Sequence, residues 1–233
     1  MPKSFEKFEY ERKFVISEIT KQEIECVLKL HPAMFSEILY HGRKSNTKQN
    51  SIYLDTLGSE DYQNHVSGIS QRLKIRIRWY GDLFGVINGK LEVKIKNNEL
   101  RDKLLFPLKP FILSKYFSSA YLQKEVFAKS NLPYWLIEEL KLRRPVLLTS
   151  YKRKYFISAD KKYRLTLDTE MKYLRIKDRN NLFLDEIKDP YSSILELKYS
   201  VKDYKGAEEI TQHFPFRLIA SSKFIKGIEL LDL

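Results

Sequence analysis

The chain has one cysteine, Cys26, in 233 residues. A lone thiol closes no internal disulfide and builds no cysteine metal centre, so neither an oxidising compartment nor zinc-finger chemistry is implied. Glycine and proline number only 8 each, which excludes a collagenous or low-complexity chain, and no linker rich in Ser, Gly or Pro divides the sequence. Long apolar runs are missing as well. A charged residue interrupts every dozen-residue stretch, so no segment fits a membrane-spanning helix, and no apolar leader follows Met1. These absences lead to the expectation of a cytoplasmic, globular chain with no membrane segment, folded as a single domain over residues 1–233. The four histidines, His31, His41, His65 and His213, follow no ligand spacing.

Positive charge is abundant: 42 Lys and Arg against 30 Asp and Glu give +12. Such a field favours polyanionic partners, whether nucleic acid, an acidic membrane surface or phosphate compounds. Net charge defines no site by itself, so the positions of the charges decide.

Two-residue alternation dominates the chain, most plainly in Gln71-Arg72-Leu73-Lys74-Ile75-Arg76-Ile77-Arg78-Trp79, where cations and apolar residues trade places. It predicts strands over 8–16, 51–55, 71–79, 89–96, 147–157, 163–169, 172–176 and 194–200. Helices are expected over 20–30, 110–129, 133–142 and 205–213. The segments 43–50 and 178–181 read as mobile surface loops. Arg72, Lys74, Arg76 and Arg78 share one face of a strand, with Glu92, Lys94 and Lys96 on the next, and a hairpin through Asp82-Leu83-Phe84-Gly85 would set the two rows side by side. Carboxylates alternate in the same way: Glu9, Glu11 and Lys13 share a face, as do Arg164, Thr166, Asp168 and Glu170, and as do Glu196 and Lys198. Two arrangements satisfy this pattern. The polar faces either line the lumen of a closed barrel or stand in water as an ordinary solvated sheet face. A lumen of Arg, Lys and carboxylate would suit a polyphosphate chain with a divalent metal, because guanidinium forks bind phosphate oxygens and carboxylates hold Mg²⁺ or Mn²⁺ against them.

Glu9-Tyr10-Glu11-Arg12-Lys13 fits the Glu-x-Glu-x-Lys motif of the triphosphate tunnel metalloenzymes. The chain as a whole resembles their VTC (vacuolar transporter chaperone) branch, the polyphosphate polymerase catalytic domain within the CYTH-like superfamily. The pieces run in family order: Ser51-Ile52-Tyr53-Leu54-Asp55-Thr56, Arg76-Ile77-Arg78-Trp79-Tyr80-Gly81, Leu91-Glu92-Val93-Lys94, Tyr151-Lys152-Arg153, Arg164-Leu165-Thr166-Leu167-Asp168-Thr169-Glu170, Leu195-Glu196-Leu197-Lys198 and Ser222-Lys223-Phe224. The resemblance implies a mainly β (α+β) fold, a closed antiparallel β-barrel tunnel of about eight strands with helices outside. It also implies binding of ATP, triphosphate or polyphosphate with Mn²⁺ or Mg²⁺. Carried over by motif, Lys13, Arg76, Arg78, Lys94, Arg153, Arg164, Lys198 and Lys223 would hold phosphates with Ser222 assisting, and Glu196 would hold the metal with Glu11 and Glu170. Lys13, Arg76, Arg78 and Glu196 would be the catalytic set.

In the polymerase reaction the end of a phosphate chain attacks the γ-phosphate of ATP; in related triphosphatases water does so. A non-catalytic polyphosphate-binding module and a nucleic-acid-binding module are the alternatives, and the carboxylates at Glu9, Glu11 and Glu196 argue against nucleic acid. Relative to eukaryotic members, the chain lacks an SPX sensor domain and a membrane segment, which leads to the expectation of a free-standing catalytic module. Ala220 stands where some relatives place a further basic residue. Asp168, which could equally fix an adjacent arginine by a salt bridge, is left out of the metal set, and the aromatics Tyr116, Phe117, Tyr121, Phe127 and Trp135 are expected to pack in the core or as helix packing on the barrel, not to form a base-stacking platform.

Overall fold

The computed structural model describes residues 9–40, 43–44, 47–97 and 100–233. Eight long strands carry the fold: β1 (Glu9–Ile16), β2 (Thr47–Thr56), β3 (Gln71–Tyr80), β4 (Lys90–Asn97), β5 (Leu100–Pro107), β6 (Arg143–Ile157), β7 (Arg164–Arg175) and β8 (Ser193–Ser200). The main helices are α1 (Lys21–Leu30), α2 (Glu60–Val66), α3 (Tyr134–Lys141), α4 (Tyr204–Gln212) and α5 (Lys223–Leu231). The strands are hydrogen-bonded in the order β1-β8-β7-β6-β2-β3-β4-β5, with Ser36–Glu37 added to β6 and Glu186–Asp189 to β7. The path runs from β1 to β5, and among the described residues no pairing joins those ends. The expected mainly β fold with helices is therefore present, but its sheet is not closed into a barrel. Near Phe14 the outer edge of β1 is taken by the segment at Leu218 and Ile219, which bridges Phe14 and donates the Ile219 amide to the Lys13 carbonyl at 3.0 Å.

The chain divides into two compact units, one of residues 1–48, 151–171 and 188–221, the other of 49–150, 172–187 and 222–233, with β6 and β7 running through both. In the first unit, the alternate residues Phe14 and Ile16 of β1, Leu195 and Leu197 of β8, and Leu165 and Leu167 of β7 form one apolar core with Ile24 and Leu28 of α1 and Ala207 and Ile210 of α4. Helix α1 starts at Thr20, whose hydroxyl accepts from the Glu23 amide while Glu23 reaches back to the Thr20 amide, a capping box that satisfies two otherwise orphaned donors. In the second unit, Ile52 and Leu54 of β2, Ile75 and Ile77 of β3, and Leu91 and Val93 of β4 pack with Leu122, Val126 and Phe127 and with Leu136 and Leu140 of α3. Burying each such side chain contributes about 1.5–3 kcal/mol, so a one-residue slip of register, which would expose the whole row, is strongly disfavoured. Parity thereby places the charged residues of both units on the opposite faces of the same strands.

Several expectations change. Residues 110–129 are not one helix: Phe111–Leu113 pairs as a strand with Gly85–Ile87, and a short turn at Ser119–Tyr121 continues into the π-helical Leu122–Phe127. The two strands expected over 163–176 are one strand, β7, interrupted by the left-handed backbone of Glu170 (φ 54°). The segment 43–50 contributes strand residues on both sides of 45–46, which lie outside the described residues with 41–42. Asn181 is anchored, its amide donating to the Phe117 and Lys177 carbonyls at 2.6 and 2.7 Å. Of the aromatic group, Phe117 and Phe127 are core residues, whereas Tyr116 and Trp135 are exposed. No helix among the described residues is long and apolar enough to cross a membrane.

Candidate functional site

The polar faces are not simply solvated. Asp168 is 0% exposed, Glu92 3%, Glu196 8%, Arg153 8% and Arg76 9%, values that no sheet face standing in bulk water gives to charged side chains. Burial of a charge demands a partner, and each unit supplies its own set.

In the first unit the register of β1, β8 and β7 builds two rungs: Glu11, Lys198 and Arg164 lie side by side, and next to them Lys13, Glu196 and Thr166. The Lys13 ammonium stands 3.1 Å from Glu11 and 3.5 Å from Glu196, and Nζ also donates to the Ser221 carbonyl at 3.4 Å. Glu196 further accepts from Arg153 Nη2 and Thr166 Oγ1, each at 3.4 Å. Asp168 takes the Arg153 fork on both oxygens, at 2.5 and 2.6 Å. Burial works against the Arg153 charge, but Asp168, Tyr151 and Glu196 outweigh it and raise its pKa well above the ordinary arginine value. Arg164 is exposed and Lys198 half-buried.

Glu170 does not join this group. It forms an ion pair of 2.6 Å with Lys152, the neighbour of Arg153 and hence on the other face of β6. Its left-handed backbone breaks the alternation of β7, so the parity that holds for Thr166 and Asp168 fails two residues later. Among the described residues no three carboxylate, imidazole or thiol groups converge as a ready-made metal cage. Glu11 and Glu196 do converge on one cationic atom, Lys13 Nζ. Two hard carboxylates that share a position suit Mg²⁺ or Mn²⁺, which are commonly held by one or two carboxylates plus substrate phosphate oxygens.

In the second unit β3, β4 and β5 give rungs of Arg72 with Lys96, of Lys74 with Lys94 and Lys103, and of Arg76 with Glu92. Like charges directly opposite one another destabilise a sheet, so the rung of three lysines calls for an anion. Glu92 supplies part of it. The carboxylate accepts from Arg76 Nε at 2.8 Å, pairs with Arg76 Nη2 at 2.7 Å and Arg78 Nη1 at 3.0 Å, and lies 4.0 Å from Lys103. Arg76 Nη1 also donates to the Tyr53 hydroxyl at 3.2 Å. Arg78 Nε is buried with no hydrogen-bond partner, as is Ser51 Oγ opposite it on β2. Ser222 sits at the N-terminus of α5 without capping it; its hydroxyl accepts from Lys74 Nζ at 2.8 Å, and Phe224 stacks on Tyr53. Lys223 is buried and Lys94 exposed.

Motif reading missed Lys74, Lys103 and the bridging part of Glu92. The alternation of β3 already placed Lys74 on the cationic face. Lys103 escaped because Leu104-Leu105-Phe106 hides the period of β5. His31 accepts from the Ala33 amide through Nδ1 and sets Nε2 against the Ile210 carbonyl, each at 3.0 Å.

The model of the VTC domain matches residues 8–232. The chain belongs to the VTC domain family. Among solved structures, HpAC1 from Hippeastrum, a proposed adenylyl cyclase described as having a dominant triphosphatase activity, is 13% identical with a TM-score of 0.52, covering 95% of this chain and 96% of that one. A proposed adenylate cyclase from Vibrio parahaemolyticus is also 13% identical, with a TM-score of 0.50 and coverage of 95% and 98%. At this identity the likeness is one of fold. No curated protein sequence matches the chain. The VTC domain described here thus presents a guanidinium pair gathered on one carboxylate in one unit, and a carboxylate pair gathered on one lysine in the other.

Proposed function

We propose that this VTC domain carries out metal-dependent phosphoryl transfer on triphosphate or polyphosphate, passing the γ-phosphate of ATP to a phosphate chain. The observation that carries the reading is the face of β3, β4 and β5. There Arg72, Lys74, Arg76, Arg78, Lys94, Lys96 and Lys103 share the surface with Glu92, a row of like charge whose guanidinium forks and ammonium groups match the oxygens of a chain of phosphates.

Arg76 and Arg78 would take phosphate oxygens. Glu92 fixes both guanidinium planes before ligand arrives, so no reorganisation is needed when charge shifts on the transferred group. Lys74, Lys94 and Lys103 would add point charges along the chain, and Ser222 a hydroxyl. In the first unit, Lys13, Arg153, Arg164 and Lys198 are the corresponding cations, with Asp168 keeping Arg153 charged and aligned. Glu196 and Glu11 would hold a divalent cation, which when bound neutralises charge on phosphate oxygens. Positioning and electrostatics are most of what phosphoryl transfer asks of a protein, so no nucleophilic triad is required.

Phosphorus NMR of the purified chain with ATP and Mn²⁺ tests the reading. Internal-phosphate resonances of a growing chain are the expected result. Orthophosphate release without chain growth would assign triphosphate hydrolysis instead, and unchanged ATP would overturn the proposal.

A further inference from the structure

The two guanidinium groups beside Glu92 are held unequally. Arg76 makes contacts through all three nitrogens, Nε and Nη2 on Glu92 and Nη1 on the Tyr53 hydroxyl. Arg78 places Nη1 on Glu92, while its Nε is buried without a hydrogen-bond partner among the described residues. Directly across on β2, Ser51 is 0% exposed and its hydroxyl has no partner either. The same holds for the hydroxyl of Thr149, 1% exposed, on β6, the strand paired to the other edge of β2.

All three residues belong to the second unit and share one face of it. Tyr53, two residues from Ser51, stacks on Phe224 of α5; Lys74, on the parity of Arg78, donates to Ser222; and Leu147, two residues from Thr149, meets α5 at Gly227. Ile52, Ile77 and Leu148, on the opposite parity, lie in the apolar core. Three successive strands therefore each carry an orphaned polar atom on the cationic side. A buried polar group without a partner bears its whole desolvation cost, so folding alone gives no reason for these atoms. Their chemistry points to an oxyanion. The Nε–Nη2 edge of Arg78 is a fork for two oxygens of one phosphate, and hydroxyls donate in fixed directions, which ammonium groups on long flexible stems do not. We propose that Ser51 and Thr149 are substrate-binding residues, their hydroxyls donating to oxygens of the phosphate that Arg78 holds on this edge. The proposal rests on the reading that this cationic face binds phosphate, and adds to it two uncharged donors that charge alternation does not mark.

Removing the hydroxyls separates this role from a structural one. Inorganic tripolyphosphate is titrated calorimetrically into the full chain, and urea midpoints are measured without ligand, for wild type, Ser51→Ala, Thr149→Val and Thr149→Ser. Neither Ser51→Ala nor Thr149→Val breaks a hydrogen bond of the fold, so their midpoints should equal or exceed that of wild type. Their affinity should fall by at least about tenfold, the scale of one hydrogen bond to a charged group. Thr149→Ser keeps the hydroxyl and should bind as wild type does. Unchanged affinity in Ser51→Ala and Thr149→Val would overturn the proposal and leave the phosphate reading standing. A loss in Thr149→Ser as large as that in Thr149→Val would trace the effect to packing and would overturn the assignment of Thr149. Failure of wild type to bind tripolyphosphate would defeat the phosphate reading and the proposal together.

Discussion

Glu92→Gln isolates the electrostatic arrangement of the second unit, because it keeps the size of a 3% exposed side chain and removes its charge. In wild type that carboxylate holds Arg76 at 2.7 and 2.8 Å and Arg78 at 3.0 Å. The variant leaves two guanidinium groups close together without their common counter-ion. Breaking a buried ion pair from one side costs about 3–5 kcal/mol. At about 2–4 °C per kcal/mol for a chain of this length, Tm should fall by roughly 6–20 °C. Tripolyphosphate should restore part of the loss. A ligand at a hundred times its Kd stabilises the folded state by about 2.7 kcal/mol, and in the variant the anion also replaces the missing charge, so its increment should exceed that in wild type at equal concentration. Thermal and urea unfolding followed by tryptophan fluorescence, with Trp79 buried next to Arg78 on β3, read the loss and the ligand increment. A loss below about 1 kcal/mol, the level of an exposed pair, together with a ligand increment no larger than in wild type, would refute the assignment of Glu92 as internal counter-ion.

Glu196→Gln should preserve tripolyphosphate binding while lowering Mn²⁺-dependent turnover by at least about a hundredfold, the scale of losing a main electrostatic stabiliser; near-native turnover in a phosphate-release assay would make Glu196 a partner of Lys13 and Arg153 only. Burial pushes the His31 pKa below its ordinary value, and its two hydrogen bonds fit only the neutral ring. The unfolded chain then takes up the proton first, so the contribution is complete above about pH 6.5 and declines as pH falls toward the lower folded-state value. Urea midpoints at pH 7.5 and 5 should diverge less in His31→Phe than in wild type, and equal divergence would contradict the assignment. Gly227→Ala would set a methyl 2.5 Å from Leu147 Cδ2 and 2.8 Å from Tyr173 Cδ1, where α5 meets β6 and β7, and overpacking of this kind should cost about 1–3 kcal/mol by chemical denaturation. An unchanged midpoint would show that α5 shifts freely.

The long strands other than β5 were legible because period-2 alternation is a local signal that one buried face enforces: Ile75 and Ile77 are fully buried and Arg76 lies opposite them. Helix α1 was legible through Thr20 and Glu23, whose capping chemistry needs nothing distant. What escaped depends on contacts far along the chain. Helix α5 is seated by Tyr53, Leu147 and Tyr173, which no local pattern reveals. The bridge of Leu218 to Phe14 at the edge of β1 joins residues about two hundred positions apart. Glu170 shares sequence parity with Thr166 and Asp168, and one residue in a left-handed conformation removed it from their company. Charge alternation marked which residues are polar, but the sharing of Glu92 among Arg76, Arg78 and Lys103 follows from cross-strand register alone.

The most direct test of the phosphate-binding claim is calorimetric titration of tripolyphosphate into wild type and the Arg76→Ala/Arg78→Ala double variant, with a single-stranded DNA oligonucleotide as competitor. The account predicts saturable binding to wild type, a loss of at least about a hundredfold in the variant, since each charge-assisted bond contributes about 1.5–3 kcal/mol, and no displacement by DNA at equal phosphate concentration. Wild-type affinity in the variant, or displacement by DNA phosphate for phosphate, would contradict it.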